Sequence, residues 1–147
     1  IRHAYAPGGG DPSNFNLNDC STQRNLSEEG RKQAKYIGKF FRNNSIKIDK
    51  VLSSEWCRCK ETAKIAFKKF STNSFLNSFF SFKFAKNKDK QITALNDYIK
   101  KFNSNDNLIL VTHYVLISEV LNYGPSSGEI VVSDKNFNII GNLKIDY

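Results

Sequence analysis

Four side chains in this sequence could handle a tetrahedral anion: Arg2, His3, Arg58 and His113. The chain has only two histidines, and each directly follows a segment expected to be a strand. His3 follows Ile1-Arg2, and His113 follows Leu108-Ile109-Leu110-Val111-Thr112. A lone histidine is usually structural or solvated; two at two strand ends, one beside an arginine, shift that balance. Arg58 joins them because it lies four residues after Ser54, at the start of an expected helix behind an expected strand. The chemistry that suits this set is phosphoryl transfer, where charge spreads over the phosphoryl oxygens and catalysis is positioning plus electrostatic stabilisation. Guanidinium forks offer fixed, bidentate donors to such oxygens. A neutral imidazole can be the nucleophile while a second histidine donates to the same group, with no metal and no cofactor required.

Elements must bring these residues together. Ser27 is a good N-cap for a first helix, with Glu28 and Glu29 suited to the positive end of its dipole. Ala34, Ile37, Gly38 and Phe41 then share one face, and the helix should end near Asn43-Asn44. Lys50 to Ser53 reads as a strand, Trp56 to Lys69 as a helix, and Gln91 to Phe102 as a helix burying Ile92, Leu95, Tyr98, Ile99 and Phe102. Leu108 to Val111 reads as a strand buried on both faces. Val115 to Leu121 suggests another helix, followed by a hairpin of Glu129–Val132 and Phe137–Ile145. The stretch from Ser71 to Asp89 has no clear periodicity. Alternating strands and helices predict one domain over residues 1–147, a three-layer α/β/α sandwich with a mostly parallel central sheet. Ile1 and Arg2 are short for a first strand, so that strand is expected to be truncated, with apolar residues lost upstream.

Composition narrows the classes. No apolar run nears the ~20 residues of a membrane-spanning helix, so no membrane span is expected. The formal charge of +8 favours anionic ligands, although scattered lysines also describe an ordinary surface. The basic-aromatic run Phe80, Phe82, Lys83, Phe84, Lys86 reads as core packing plus a lysine-rich loop, and no nucleic acid partner is expected. Cys20, Cys57 and Cys59 lack the paired spacing of a zinc site. One disulfide with a leftover thiol and three inert thiols both remain open. Gly8-Gly9-Gly10 is no nucleotide-binding loop, since no Gly-Lys-Ser/Thr follows. It lies in a long polar stretch from Ala4 to Asn25, and loops of that length tend to be functional.

The motifs resemble the histidine phosphatase superfamily, whose phosphoglycerate-mutase-like branch opens with Arg-His-Gly. Here the opening is Arg2-His3-Ala4, with alanine in the glycine place. Leu26-Ser27-Glu28-Glu29-Gly30-Arg31-Lys32-Gln33-Ala34 is similar to the family's Leu-Thr-x-x-Gly-x-x-Gln-Ala. Ser54, Arg58, Thr62 and Ala63 match its Ser-x-x-x-Arg-x-x-x-Thr-Ala, and Val111-Thr112-His113 its second-histidine strand. The resemblance implies that His3 forms a phosphohistidine intermediate, that Arg2, Arg58 and His113 hold the phosphate, and that water completes hydrolysis. The loop before the first helix often reaches the pocket in the family, which implies that Thr22, Gln23 and Arg24 could do so; the alternative is that they only brace the loop, the reading preferred for Gln23.

The branch often carries a glutamate as proton donor two residues after a leucine in its third segment. Leu76-Asn77-Ser78 places a serine there. Glu129, Glu55 and Asp19 are the candidate replacements, with Glu129 favoured because it lies where a glycine-rich turn enters a strand. The segments around Cys20 and Cys57-Arg58-Cys59 look like a group of small exported members. That implies a disulfide from Cys20 to Cys57 or Cys59 and a periplasmic or secreted setting, a cytoplasmic one being the alternative. The expected activity is a metal-independent phosphatase acting on a phosphorylated small molecule or phosphoprotein and releasing inorganic phosphate. It is expected ahead of a phosphoglycerate mutase, which carries insertions this chain has no room for. The alternative is a phosphate-binding or interaction module on the same fold, with weak or no turnover.

Overall fold

The structure is a computed structural model, and it describes residues 1–146. Helix α1 (Glu28–Asn43) begins where Ser27 caps it, the serine hydroxyl accepting from the Gly30 amide at 3.1 Å. Strand β1 (Ile48–Ser53) and helix α2 (Cys57–Phe67) follow. A two-residue strand β2 (Ser71–Thr72), a 3-10 turn (Ser74–Leu76) and a short helix α3 (Phe82–Ala85) occupy the stretch that lacked periodicity. Helix α4 (Lys88–Lys101), strand β3 (Asn107–Val111) and helix α5 (Tyr114–Leu121) come next. Strands β4 (Ile130–Ser133) and β5 (Ile139–Leu143) form the antiparallel hairpin.

The central sheet runs β2-β1-β3, all parallel. Ile1 to His3 continues it beyond β3: Arg2 bridges Thr112 in parallel, Thr112 N–H donates to Ile1 O at 2.9 Å, and His3 N–H donates to Thr112 O at 2.9 Å. On their other side Arg2 N–H donates to Glu129 O, and His3 O accepts from Gly128 N–H. Three residues therefore do the work of an interior strand. Ile109 and Val111 of β3 pack into a core with Ile37, Phe41, Ala63 and Ala66 of α1 and α2, while Leu108 and Leu110 face the second core of Phe75, Leu76, Leu95 and Leu116. Both faces of the sheet are thus covered, which makes three layers and explains the unbroken apolar run of β3. The molecule is an α/β fold with a mostly parallel sheet, as its alternating pattern predicts.

Two glycines set the spacing around this sheet. A Cβ on Gly30 would lie 2.0 Å from Tyr5 O, and one on Gly38 would lie 2.4 Å from Ala66 O. The first lets α1 press against the backbone just past His3, and the second lets α1 and α2 pack closely. The basic-aromatic run departs from expectation. Phe84 does pack, stacking edge-on against Phe15 and Trp56, but Phe80 and Phe82 are 71% and 97% exposed. The serine cap and four-residue length of α3 leave those two rings outside the core.

Candidate active site

Because the strands are parallel, their carboxyl ends share one edge, where ligands of α/β sheets gather. His3, Ser54 after β1 and His113 after β3 all sit there, and all are buried. Arg58 reaches the same point from the first turn of α2 and joins the two imidazoles. Its Nε donates to His3 Nε2 at 3.2 Å, and its Nη2 lies 3.4 Å from His113 Nδ1. The histidine rings meet edge to face at 5.6 Å between centroids.

The surrounding bonds assign each ring its tautomer. His3 Nδ1 lies 2.8 Å from Ala4 O, which can only accept, so the proton is on Nδ1 and Nε2 keeps its lone pair. Ala4 is itself held, its amide donating to Thr62 Oγ1 at 3.0 Å while that hydroxyl donates to Arg58 O at 2.7 Å. Gln33 works likewise, accepting from Tyr5 N–H at 3.0 Å and donating to Ser127 O at 2.8 Å. These contacts give physical content to the threonine and glutamine of the two helix motifs: both pin the backbone around the first histidine.

His113 Nε2 lies 2.9 Å from Ser54 Oγ, a hydroxyl that also accepts from Trp56 N–H and donates to Asn77 Oδ1 at 3.0 Å. Asn77 is fixed in turn by Glu55 through a 2.6 Å bond. His113 therefore presents Nδ1 to the arginine side. Burial, reinforced by Arg58, pushes the pKa of both histidines well below the ordinary value, so both are neutral near pH 7. A neutral ring with an unprotonated Nε2, here accepting from Arg58 Nε, is the nucleophilic form.

A cavity of about 470 Å³ opens over these groups, lined by Arg2, His3, Arg24, Arg58 and His113 among others. Arg2 donates to Pro125 O at 2.9 Å and its guanidinium lies 5.4 Å from the Tyr114 ring centre. Among the described residues, Arg2 Nε is the buried side-chain nitrogen without a hydrogen-bond partner, a cost that an external anion could relieve. The outer wall is aromatic, with Phe15, Trp56, Phe80, Phe84 and Tyr114, and Lys83 stands among them.

Arg2, His3, Arg24, Arg58 and His113 are thus brought together, and Thr22 and Glu129 are not. Thr22 is turned into its own loop, donating to Asp19 O and accepting from Asn16 N–H, and it does not line the cavity. Glu129 is fully buried behind the strand end, taking bonds from Tyr123, from Ser126 N–H at 2.7 Å and from Asn142 at 2.7 Å. Burial raises its proton affinity, but those donors outweigh burial and hold its carboxyl below the usual range. It braces the turn rather than facing the pocket. Glu55 serves Asn77, and Asp19 caps the 3-10 turn Cys20–Thr22, so neither lines the cavity either. Gln23 braces the loop as expected, donating to Asn16 O and Leu17 O and accepting from Cys57 N–H.

The acid that does face the cavity is Asp11, which sequence reasoning passed over. Its Oδ1 lies 2.8 Å from Arg58 Nη1, and Trp56 Nε1 donates to its Oδ2 at 3.1 Å. A visible signal existed: it follows three glycines in the long loop that begins at the first histidine. Cys20 and Cys57 form a disulfide with Cα atoms 5.8 Å apart, tying that loop to the start of α2. Cys59 is the free thiol, buried and pushed up by burial to about 12, so it stays protonated.

An α/β sheet with two imidazoles and three guanidinium groups at its carboxyl edge has the donors and the charge that a tetrahedral oxyanion requires. The family description "Histidine phosphatase superfamily (branch 1)" matches residues 13–76. Residues of the serine/threonine-protein phosphatase Pgam5, mitochondrial, from Drosophila persimilis are 44% identical over 51 positions, which make up 35% of this chain and 18% of that protein. The protein of the same name from Drosophila pseudoobscura pseudoobscura matches to the same extent. The matched stretch spans less than a fifth of these relatives' length.

Among solved structures, one from Agrobacterium tumefaciens named for the phosphohistidine phosphatase SixA superposes with a TM-score of 0.65 at 19% identity, covering 98% of this chain and 95% of that one. The protein histidine phosphatase SixA complexed with tungstate gives 0.58 at 16%, covering 99% and 94%. A phosphoserine phosphatase from Entamoeba histolytica gives 0.55 at 20%, covering 84% and 79%. The fold is that of these phosphoglycerate-mutase-like histidine phosphatases, and residues 13–76 are similar to the histidine phosphatase superfamily (branch 1).

Proposed function

We propose that this protein is a metal-independent phosphatase that hydrolyses a phosphomonoester or phosphoprotein through a phosphohistidine on His3. The observation that carries this reading is the single guanidinium of Arg58 spanning His3 Nε2 and His113 Nδ1. A phosphoryl group seated on that fork has the Nε2 lone pair of His3 on one side and His113 on the other. Arg2 and Arg24 add charge around it, in the role that metal ions play elsewhere. His3 Nε2 attacks phosphorus, the ester oxygen departs, and water then cleaves the nitrogen–phosphorus bond to release inorganic phosphate. The similarity of residues 13–76 to the histidine phosphatase superfamily and the phosphatases among the relatives support a phosphatase or mutase-like enzyme.

The test is hydrolysis of p-nitrophenyl phosphate in the presence of chelator. His3→Ala is expected to abolish turnover and the acid-labile phosphate trapped on the chain. Wild-type rates in that variant would remove His3 as nucleophile. Isomerisation of added phosphoglycerate would instead indicate a mutase. The second reading, a phosphate-binding module without turnover, draws on Asp11 closing the Arg58 fork. It predicts vanadate binding with no release of phosphate.

A further inference from the structure

The pocket lacks a carboxyl where the family often has one: Ser78 lines the cavity at that place. Among the described residues lining the cavity, Asp11 is the only carboxylic acid. It is engaged in a way that bears directly on substrate binding. A guanidinium has five N–H donors, and in Arg58 every one is committed. Nε goes to His3 at 3.2 Å; Nη1 goes to Asp11 Oδ1 at 2.8 Å and Arg24 O at 3.4 Å; Nη2 goes to Asp11 Oδ2 at 3.3 Å and His113 at 3.4 Å. A phosphate can use this fork only if one acceptor withdraws. The two oxygens of Asp11 occupy the paired positions that two phosphoryl oxygens would take. A dianion outcompetes a monoanion for the same cation.

We propose that Asp11 is the proton donor of the reaction: substrate phosphate displaces its carboxylate from Arg58, and the released carboxyl protonates the departing oxygen. This rests on the phosphatase reading above and adds the acid that reading lacks.

Displacement itself prepares the group. While paired, Asp11 feels burial that raises its proton affinity, but the bonds and charge of Arg58 outweigh it and keep it ionised. Once the pair opens, that restraint goes and a phosphoryl dianion becomes its neighbour, and both changes favour the protonated form. The Arg24 amide, 3.0 Å from Oδ1, and the Trp56 indole remain to hold the group at the pocket wall. The other charges facing it across the cavity are Arg2, Arg24 and Lys83, with neutral His3 and His113 beyond Arg58.

The step balances. Asp11 takes one proton from solvent as substrate binds. His3 Nε2 forms a bond to phosphorus, the phosphorus–oxygen bond breaks with its electron pair going to the ester oxygen, and Asp11 gives that oxygen its proton. Water then attacks phosphorus, Asp11 accepts the proton, and the nitrogen–phosphorus bond breaks.

Leaving-group dependence tests the idea, because an acid matters most when the departing oxygen is basic. For Asp11→Asn, kcat/KM on phosphoserine is expected to fall about 10²–10³-fold, against a roughly ten-fold or smaller fall on p-nitrophenyl phosphate. Orthovanadate should bind this variant at least as tightly as wild type, since the competing carboxylate is gone. Equal losses on both substrates, or weaker vanadate binding, would overturn the proposal and leave Asp11 as a brace for Arg58. Asp11→Ser, read the same way, serves if the asparagine variant does not fold. Wild-type protein inactive on both substrates would instead defeat the phosphatase reading itself.

Discussion

At the residue scale, Arg58 is the hub on which the site turns. It is nearly inaccessible to solvent, and it contacts both imidazoles and one carboxylate at once. A lysine cannot reproduce this, because its point charge has no planar fork with which to touch three partners. Arg58→Lys is therefore expected to lower kcat/KM on an aryl phosphate by about 10²–10³-fold, comparable to losing one transition-state donor. A loss confined to KM would mean that Arg58 only binds. The neighbouring Ser54-Asn77-Glu55 chain acts through His113, fixing which ring nitrogen faces the phosphate. The sequence motif shows Ser54 but not Asn77, which lies 23 residues away and joins it only once the 3-10 turn before it is folded.

At the scale of elements, the 4–25 loop is the unusual part. It carries Asp11 and Arg24 into the pocket yet contains only one short 3-10 turn. The links that hold it to the start of α2 include the Cys20–Cys57 disulfide, Gln23 accepting from Cys57 N–H, Arg24 O accepting from Arg58, and Asp11 on Arg58 and Trp56. A crosslink with a sequence separation of 37 constrains the unfolded chain by about 4 kcal/mol in the loop-entropy picture. Cys20→Ser should therefore lower unfolding free energy by about 2–4 kcal/mol, measured by denaturant titration. It should also raise KM, because the loop bearing Arg24 loses an anchor. An unchanged denaturation midpoint under reducing and oxidising conditions would contradict this.

At the scale of the whole molecule, folding requires two imidazoles to be buried neutral among guanidinium groups. Their folded pKa values lie well below 6.5, through burial first and Arg58 next. Below about pH 6.5 the unfolded chain therefore binds protons that the native state refuses, so stability falls as pH falls. The slope approaches about 1.4 kcal/mol per pH unit for each histidine until its folded pKa is reached. Denaturant titrations at pH 7.5 and 5.5 should show the protein less stable at the lower pH. Saturating orthovanadate should flatten the dependence, since an anion beside the rings favours their charged forms. Greater stability at pH 5.5 would mean that the rings are not buried neutral. The formal charge of +8 adds a general attraction for anionic substrates that salt should weaken.

The sequence alone determined what depends on local order and residue type. The period of α1, the unbroken apolar run of β3 and the serine cap at Ser27 announce a parallel α/β sheet. Because such a sheet gathers its strand ends at one edge, Arg2, His3, Arg58 and His113 were legible as a cluster before any coordinates. Which carboxylate faces them was not legible. Glu129 and Asp11 both stand by glycine-rich turns, and only the folded backbone sends one behind the strand end and the other onto Arg58. Likewise two cysteines flank Arg58, and only the first turn of α2 decides that Cys57 meets Cys20 while Cys59 points into the core. Loop side chains have no period to betray their direction, so their partners are set by long-range packing, which the linear pattern does not encode residue by residue.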